Sequence, residues 1–226
     1  MKTQQTLREE LEENGRAWFR NAISERDLEL FDRSTAVASR AGQRIDRSNI
    51  LVQALSDSSS LLKTVRKLDS NARPVRVVAF NKSGNANWGV PWHQDRVVSV
   101  KNKADIAGFG NWTKKSGIWH CEPPQSVLEK MLFVRVHLDD TDYQNGAMEI
   151  AVGSHVDGVI PAKRAEATAL KYPREYCVAK RGDVLVLKML TLHCSKPAID
   201  QSRRRVLRID FASSRLRAPL EWQGFE

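Results

Sequence analysis

Only three cysteines occur in the 226 residues, Cys121, Cys177 and Cys194, and no two of them form a CxxC pair. An odd, unpaired set argues against a disulfide framework and fits a reduced, cytoplasmic setting. No apolar run approaches the ~20 residues that a membrane-spanning helix needs. The opening Met1-Lys2-Thr3-Gln4-Gln5 has no apolar signal core. Internal repeats, low-complexity tracts and linkers are likewise missing, so the chain reads as one domain over residues 1–226. Helical and strand-like stretches do not alternate, which disfavours a parallel, doubly wound sheet. What is present is ordinary for a soluble globular protein: 41% hydrophobic and 28% charged residues leave no case for wholesale disorder.

The net charge of +9 raises the question of nucleic acid. Its basic residues are scattered, however, and the densest cluster, Arg203-Arg204-Arg205, opens an apparent strand. A nucleic-acid surface calls for a sustained basic stripe with interleaved aromatics. The expected partner is a small molecule, with no nucleic acid and no membrane. The oligomeric state is left open.

In chain order, Leu7 and Leu11 on a charged background predict a helix closed by Asn14-Gly15. Arg16–Ile23 reads as a strand. Ser24-Glu25-Arg26-Asp27 has capping-box form ahead of Leu28 and Phe31. Residues 33–47 read as a loop, Ser48 caps a helix through Leu55, and Leu61, Leu62, Val65 and Leu68 predict a helix ending near Asn71 and Pro74. The helical part thus spans about 1–72. From about 74 to 214 the chain turns to short β-prone runs: Val75–Phe80, Leu132–Leu138, Met148–Val152, Tyr176–Val178, Val184–Leu187 and Val206–Phe211. Helices followed by many short strands predict an antiparallel barrel or sandwich with helices packed on one sheet. Residues 97–125 look strand-poor, and a connection of that length reads as a lid over a site.

Two stretches carry the chemistry. In Pro91-Trp92-His93-Gln94-Asp95, His93 and Asp95 alternate, so at a strand end both side chains project to one face. His193, in His193-Cys194-Ser195, arrives from a later strand to complete two imidazoles and a carboxylate. That set binds non-haem iron facially and leaves positions open for a co-substrate and oxygen.

Trp92-His93-Gln94-Asp95, Val134-Arg135-Val136-His137-Leu138-Asp139-Asp140, Asn145-Gly146-Ala147 with Gly153-Ser154-His155, then Gly182-Asp183, His193-x-Ser195 and Arg204 together resemble the phytanoyl-CoA dioxygenase family. The resemblance covers roughly residues 5–215 and is most specific from Asn87 to Arg204. It implies a double-stranded β-helix (a jelly-roll, cupin-like barrel) and an iron(II)- and 2-oxoglutarate-dependent oxygenase, with O2 as oxidant and ascorbate as an in vitro stimulant. It implies His93, Asp95 and His193 as iron ligands. Arg204, Ser195 and Gln94 are implied for 2-oxoglutarate, a guanidinium fork being suited to a carboxylate. Ala198 departs from the asparagine that relatives often carry. Family halogenases have a small residue at the position of Asp95, so the carboxylate favours oxygenation, with hydroxylation ahead of desaturation or ring formation. The competing readings are a cupin-like metal-dependent isomerase or epimerase that does not use 2-oxoglutarate, and a non-catalytic ligand-binding barrel.

Strand alternation extends the reading. If Arg204 points inward, Arg208 follows it, and Arg135 and His137 line the same cavity, while Leu207, Ile209 and Phe211 pack on the helices. Charged side chains inside a barrel are costly unless paired or used. Arg135 and Arg208 therefore either bind an anionic substrate or bridge to Asp210, Asp139 or Glu149. Trp92, Trp112 and Trp119 are aromatic candidates for a pocket wall or for core filling. His120 is either a substrate contact or a surface-loop histidine. His155 reads as a turn residue, Lys82 as a candidate co-substrate contact, and Cys194 as a packed thiol.

Overall fold

The computed structural model describes residues 3–36, 42–83, 86–200 and 203–224. Its N-terminal elements form where local chemistry predicts them. Helix α1 (Gln4–Asn14) starts at Thr3, whose hydroxyl accepts from the Thr6 amide, and stops at Gly15 with φ +70°. Strand β1 (Arg16–Phe19) follows. Ser24 caps α2 (Glu25–Thr35) by accepting the Asp27 amide. The stretch read as a loop over 33–47 overlaps the end of α2 and includes β2 (Gln43–Arg44); its residues 37–41 lie outside the described residues. Ser48 and Ser59 cap α3 (Asn49–Ala54) and α4 (Ser60–Val65). The last helix is shorter than its apolar spacing implies, since the chain continues past Val65 in turns that still bury Leu68.

The strands β3 (Arg73–Lys82), β8 (Met131–His137), β9 (Met148–Ala151), β10 (Arg174–Tyr176), β11 (Val184–Lys188) and β13 (Arg204–Ala212) lie close to the β-prone runs of the sequence. Between them the structure adds β4 (Val90–His93), β5 (Val98–Val100), β6 (Gly110–Lys115), β7 (Ile118–Glu122) and β12 (His193–Ser195), with short helices α5 (Gln125–Leu128) and α6 (Ala165–Ala169). The strand-poor reading of 97–125 is therefore corrected: that segment folds into a three-stranded antiparallel sheet, β5-β7-β6. No run in it was long or regular enough to show, because three- to six-residue strands owe their stability to partners rather than to propensity.

A six-stranded sheet, in the order β1-β11-β8-β13-β3-β2, and a four-stranded sheet, β10-β9-β12-β4, contribute to one shared core. Antiparallel pairing throughout gives the double-stranded β-helix arrangement. Register sorts the six-stranded sheet into two faces. Leu207 pairs with Ala79 and Val136, and Ile209 with Val77 and Val134; these join Leu28, Phe31, Leu51 and Leu61 in the core under the helices. The opposite face carries Arg204 across from Lys82, Arg208 between Val78 and Arg135, and Asp210 between Arg76 and Phe133. A second core of Phe133, Met148, Ile150, Leu185 and Leu187 fills the space between the sheets below these charged rows. No helix among the described residues is long and apolar enough to cross a membrane.

Candidate metal and oxo-acid site

Two imidazoles meet because β4 and β12 pair antiparallel with His93 directly opposite His193. Their ring centroids are 4.3 Å apart, and Asp95 stands just past the end of β4. Ligand atoms of His93, Asp95 and His193 all lie within 4.8 Å of one another. Each histidine is oriented by its own strand: Nδ1 of His93 faces the Pro91 carbonyl at 2.8 Å and Nδ1 of His193 the Thr191 carbonyl at 2.9 Å. A carbonyl can only accept, so it favours a proton on Nδ1; Nε2 of His193 points at Asp95 Oδ2, 3.1 Å away, where a shared metal would lie. Burial, then the neighbouring His193, pushes the His93 pKa below its usual value, which keeps it in the neutral form that ligation needs. Burial works against charge on Asp95, but Arg208, the His193 hydrogen bond and both imidazoles outweigh it and hold the carboxyl well below the usual carboxylate range. Two imidazoles and one carboxylate on one face fit non-haem iron(II).

Arg208 reaches Asp95 through Nη1, while its Nε donates to Asp210 at 2.7 Å. Asp210 in turn meets Arg76 at 3.5 Å, and Arg76 donates to the Val97 carbonyl at 3.0 Å. Arg208 thus lines the cavity with its charge already used, partly in the bridge to Asp210 that strand parity suggested. Its grip on Asp95 was not foreseen, because it needs the ligand turn to fold back over β13.

A cavity of about 200 Å³ runs from the three ligand residues to Arg204, walled by Phe80, Trp88, Phe133 and Met148. Ser195 and Arg135 also line it. Arg204 is 2% exposed, donates from Nη1 to the Gly146 carbonyl at 2.9 Å, and has no partner for Nε among the described residues. Burial, then Arg135, pushes its pKa down to about 9. Lys82, 0% exposed, sits behind it, bonded to the Lys196 carbonyl and 5.5 Å from the Trp88 ring. A Cβ on Gly146, where φ is +76°, would lie 2.8 Å from Lys82 Nζ, so this turn takes glycine for both conformation and space.

Several candidates lie elsewhere. Gln94 is absent from the cavity lining: its amide donates to the Gly158 and Leu190 carbonyls at 2.8 and 2.7 Å and accepts from the Ile160 amide at 2.8 Å. All its near capacity goes to pegging the ligand turn to the 158–160 loop, so it does not stand ready for a co-substrate. Trp92 alternates with His93 and so faces the other way, into a cluster with Ile160, Ala165 and Leu192. Trp112 meets Trp119 edge-on at 6.4 Å in the three-stranded sheet. His120 is neither a surface nor a cavity residue: it is 2% exposed, contacts Arg44, and burial and then Arg44 push its pKa down to about 4. His155 donates to or accepts from nothing in the cavity; its Nε2 meets the Glu12 carbonyl at 3.0 Å. Trp88, by contrast, walls the site and carried no motif to mark it.

His137 shares the Arg135 face but lies beyond the cavity, stacked on Trp18 at 5.8 Å with Nδ1 3.3 Å from the Asp183 carbonyl. Burial, then Arg135, pushes its pKa down to about 3 from 6.5. The folded form therefore refuses a proton that the unfolded chain takes up below 6.5. Stability is fully present above that value and falls with decreasing pH, by about 1.4 kcal/mol per unit. Urea melts at pH 7 and pH 5 are expected to differ by about 2 kcal/mol less for His137→Met than for the native chain. Equal acid sensitivity in the two proteins would show that other groups carry it.

The family model described as phytanoyl-CoA dioxygenase (PhyH) matches residues 3–206. No curated protein matches the chain in sequence. Among solved structures, the non-heme alpha-ketoglutarate-dependent epimerase SnoN from nogalamycin biosynthesis superposes with a TM-score of 0.68 at 12% identity, over 94% of this chain and 81% of SnoN. The carbocyclase SnoK from the same biosynthesis gives 0.67 at 14%, over 100% and 90%. EctD from S. alaskensis, solved with 2-oxoglutarate and 5-hydroxyectoine, gives 0.68 at 15%, over 96% and 78%. At such identities the likeness is one of fold.

Proposed function

The chain belongs to the phytanoyl-CoA dioxygenase family, and on that premise we propose that it is an iron(II)- and 2-oxoglutarate-dependent oxygenase that hydroxylates a small molecule. The substrate C–H becomes C–OH with one atom of O2, while the other enters the succinate formed as 2-oxoglutarate loses CO2. The observation that carries this reading is the pairing, in one cavity, of a two-histidine, one-carboxylate set with a buried, under-bonded Arg204. A metal isomerase that uses no oxo acid has no need of that guanidinium.

When bound, iron(II) supplies the activation of O2 that organic side chains cannot. The chain's own work is positioning. His93, Asp95 and His193 offer three donors on one side and leave the other open to ligands. Arg208 keeps Asp95 ionised and aimed. Arg204 and Ser195 hold the distal carboxylate of the oxo acid, and Trp88, Phe133 and Met148 keep bulk water from it. Sites for drug-sized ligands run to ~300–1,000 Å³. A cavity of about 200 Å³ suits the co-substrate and leaves the prime substrate to lie across its mouth.

Aerobic incubation with iron(II), ascorbate and 2-oxoglutarate is expected to yield slow succinate formation even without prime substrate. Mass spectrometry then separates outcomes once a substrate is found: one added oxygen means hydroxylation, unchanged mass epimerisation, and loss of two hydrogens desaturation or ring closure. Neither succinate nor an anaerobic iron(II)–2-oxoglutarate absorption band would refute the oxygenase reading.

A further inference from the structure

Arg135 is a buried cation without an anion. It is 6% exposed, its Nε has no hydrogen-bond partner, and no carboxylate among the described residues lies within ion-pair distance of it. Neither Asp139 nor Glu149, the acids that parity offered, is its partner: Asp139 binds Arg205 and Glu149 lies 3.6 Å from Arg174. The Arg135 guanidinium instead rests 5.9 Å from the Phe80 ring and lines the cavity. Two more cations crowd it. Burial, then the neighbouring cations, lowers Lys82 to about 8 (Arg204 and Arg135 both contributing) and Arg204 to about 9 (Arg135 contributing). Like charges gathered away from water, with no carboxylate among the described residues in ion-pair contact with them, are a standing cost that an arriving anion relieves.

Cavity size and register decide which anion. Arg135 pairs across strands with Arg208, which grips Asp95 at the metal end, while Arg204 marks the other end of the same strand face. A molecule spanning the metal ligands and Arg204 must pass Arg135. With about 200 Å³ available, a five-carbon oxo acid fills the space and a second organic ligand has no room beside it. Resting on the functional reading above, we propose that Arg135 joins Arg204 on the distal carboxylate of 2-oxoglutarate, so that two guanidinium groups, rather than one, grip the co-substrate. The pocket then selects strongly for a dicarboxylate and favours retention of succinate.

The test is equilibrium binding, independent of turnover. The anaerobic iron(II) protein is titrated with 2-oxoglutarate and with 2-oxopentanoate, which has the same chain length but a methyl group in place of the distal carboxylate. The native protein is compared with Arg135→Met and Arg135→Lys, by the charge-transfer band and by calorimetry. Arg135→Met is expected to weaken 2-oxoglutarate by more than ~10-fold while changing 2-oxopentanoate by less than ~2-fold. Arg135→Lys, which keeps the charge without the fork, falls between and serves if the methionine variant does not fold. Since an unpaired buried charge is removed, the melting temperature of Arg135→Met without ligand should not fall below that of the native chain. Unchanged 2-oxoglutarate affinity, or an equal loss for both acids, overturns the assignment of Arg135 alone. Failure of the native protein to bind 2-oxoglutarate overturns the functional reading, and the clamp with it.

Discussion

His93→Ala is expected to weaken iron(II) or cobalt(II) binding by more than ~100-fold, since loss of a ligand's supporting partner alone costs 10–100-fold. The argument is geometric. His93 and His193 are cross-strand partners, each with Nδ1 committed to a carbonyl two residues earlier in the chain, so both Nε2 atoms are aimed before any ion arrives. Removing one leaves an imidazole and a carboxylate, a set too small to hold a first-row divalent cation tightly against water. Folding should survive, because His93 is only half-buried and is absent from the apolar clusters. Cobalt(II) absorption with chelator competition measures the affinity, and circular dichroism checks the fold. Native-like metal affinity in a folded variant would mean that the ion, if any, is held elsewhere.

Arg204→Met is expected to weaken 2-oxoglutarate binding by more than ~100-fold while leaving metal affinity within a few-fold. A bidentate pair to a carboxylate comprises two charge-assisted hydrogen bonds of about 1.5–3 kcal/mol each, and about 3 kcal/mol corresponds to that factor. Stability should move the other way. In the free protein Arg204 has Nη1 on the Gly146 carbonyl, no partner for Nε, and Lys82 and Arg135 nearby. An apolar side chain of similar length relieves that, so a gain of about 1 kcal/mol in urea unfolding is expected. Weakened binding with increased stability is the mark of a residue kept for its ligand. If binding and stability fell together, Arg204 would be a structural residue instead.

Much of the site was readable before folding because its chemistry lies in residue type and order. His93, Asp95, His193 and Arg204 stand out by residue type and order, the structure gathers them around one cavity, and their strand parity follows from the sequence. The parity of Trp92 was equally readable: a residue next to an inward histidine must point outward, and it does. Gln94 and His120 were misjudged for a different reason. What an amide or imidazole does depends on which groups come within 3 Å, and theirs come from the 158–160 loop, from Leu190 and from β2.

By itself the sequence determined the caps at Ser24, Ser48 and Gly15, the alternating strands β3, β8, β11 and β13, and the candidate metal donors that the fold brings together. These rest on interactions within a few residues or on a period of two, which any local stretch reveals. Tertiary structure alone decided that 97–125 is a sheet, that Arg208 serves Asp95, and that Arg135 forms no ion pair among the described residues. Each of these depends on strand neighbours distant in the chain, whose registers are set by burying Leu207, Ile209, Val134 and Val136 under the helices. The apolar face chose the register, and the register placed the charges.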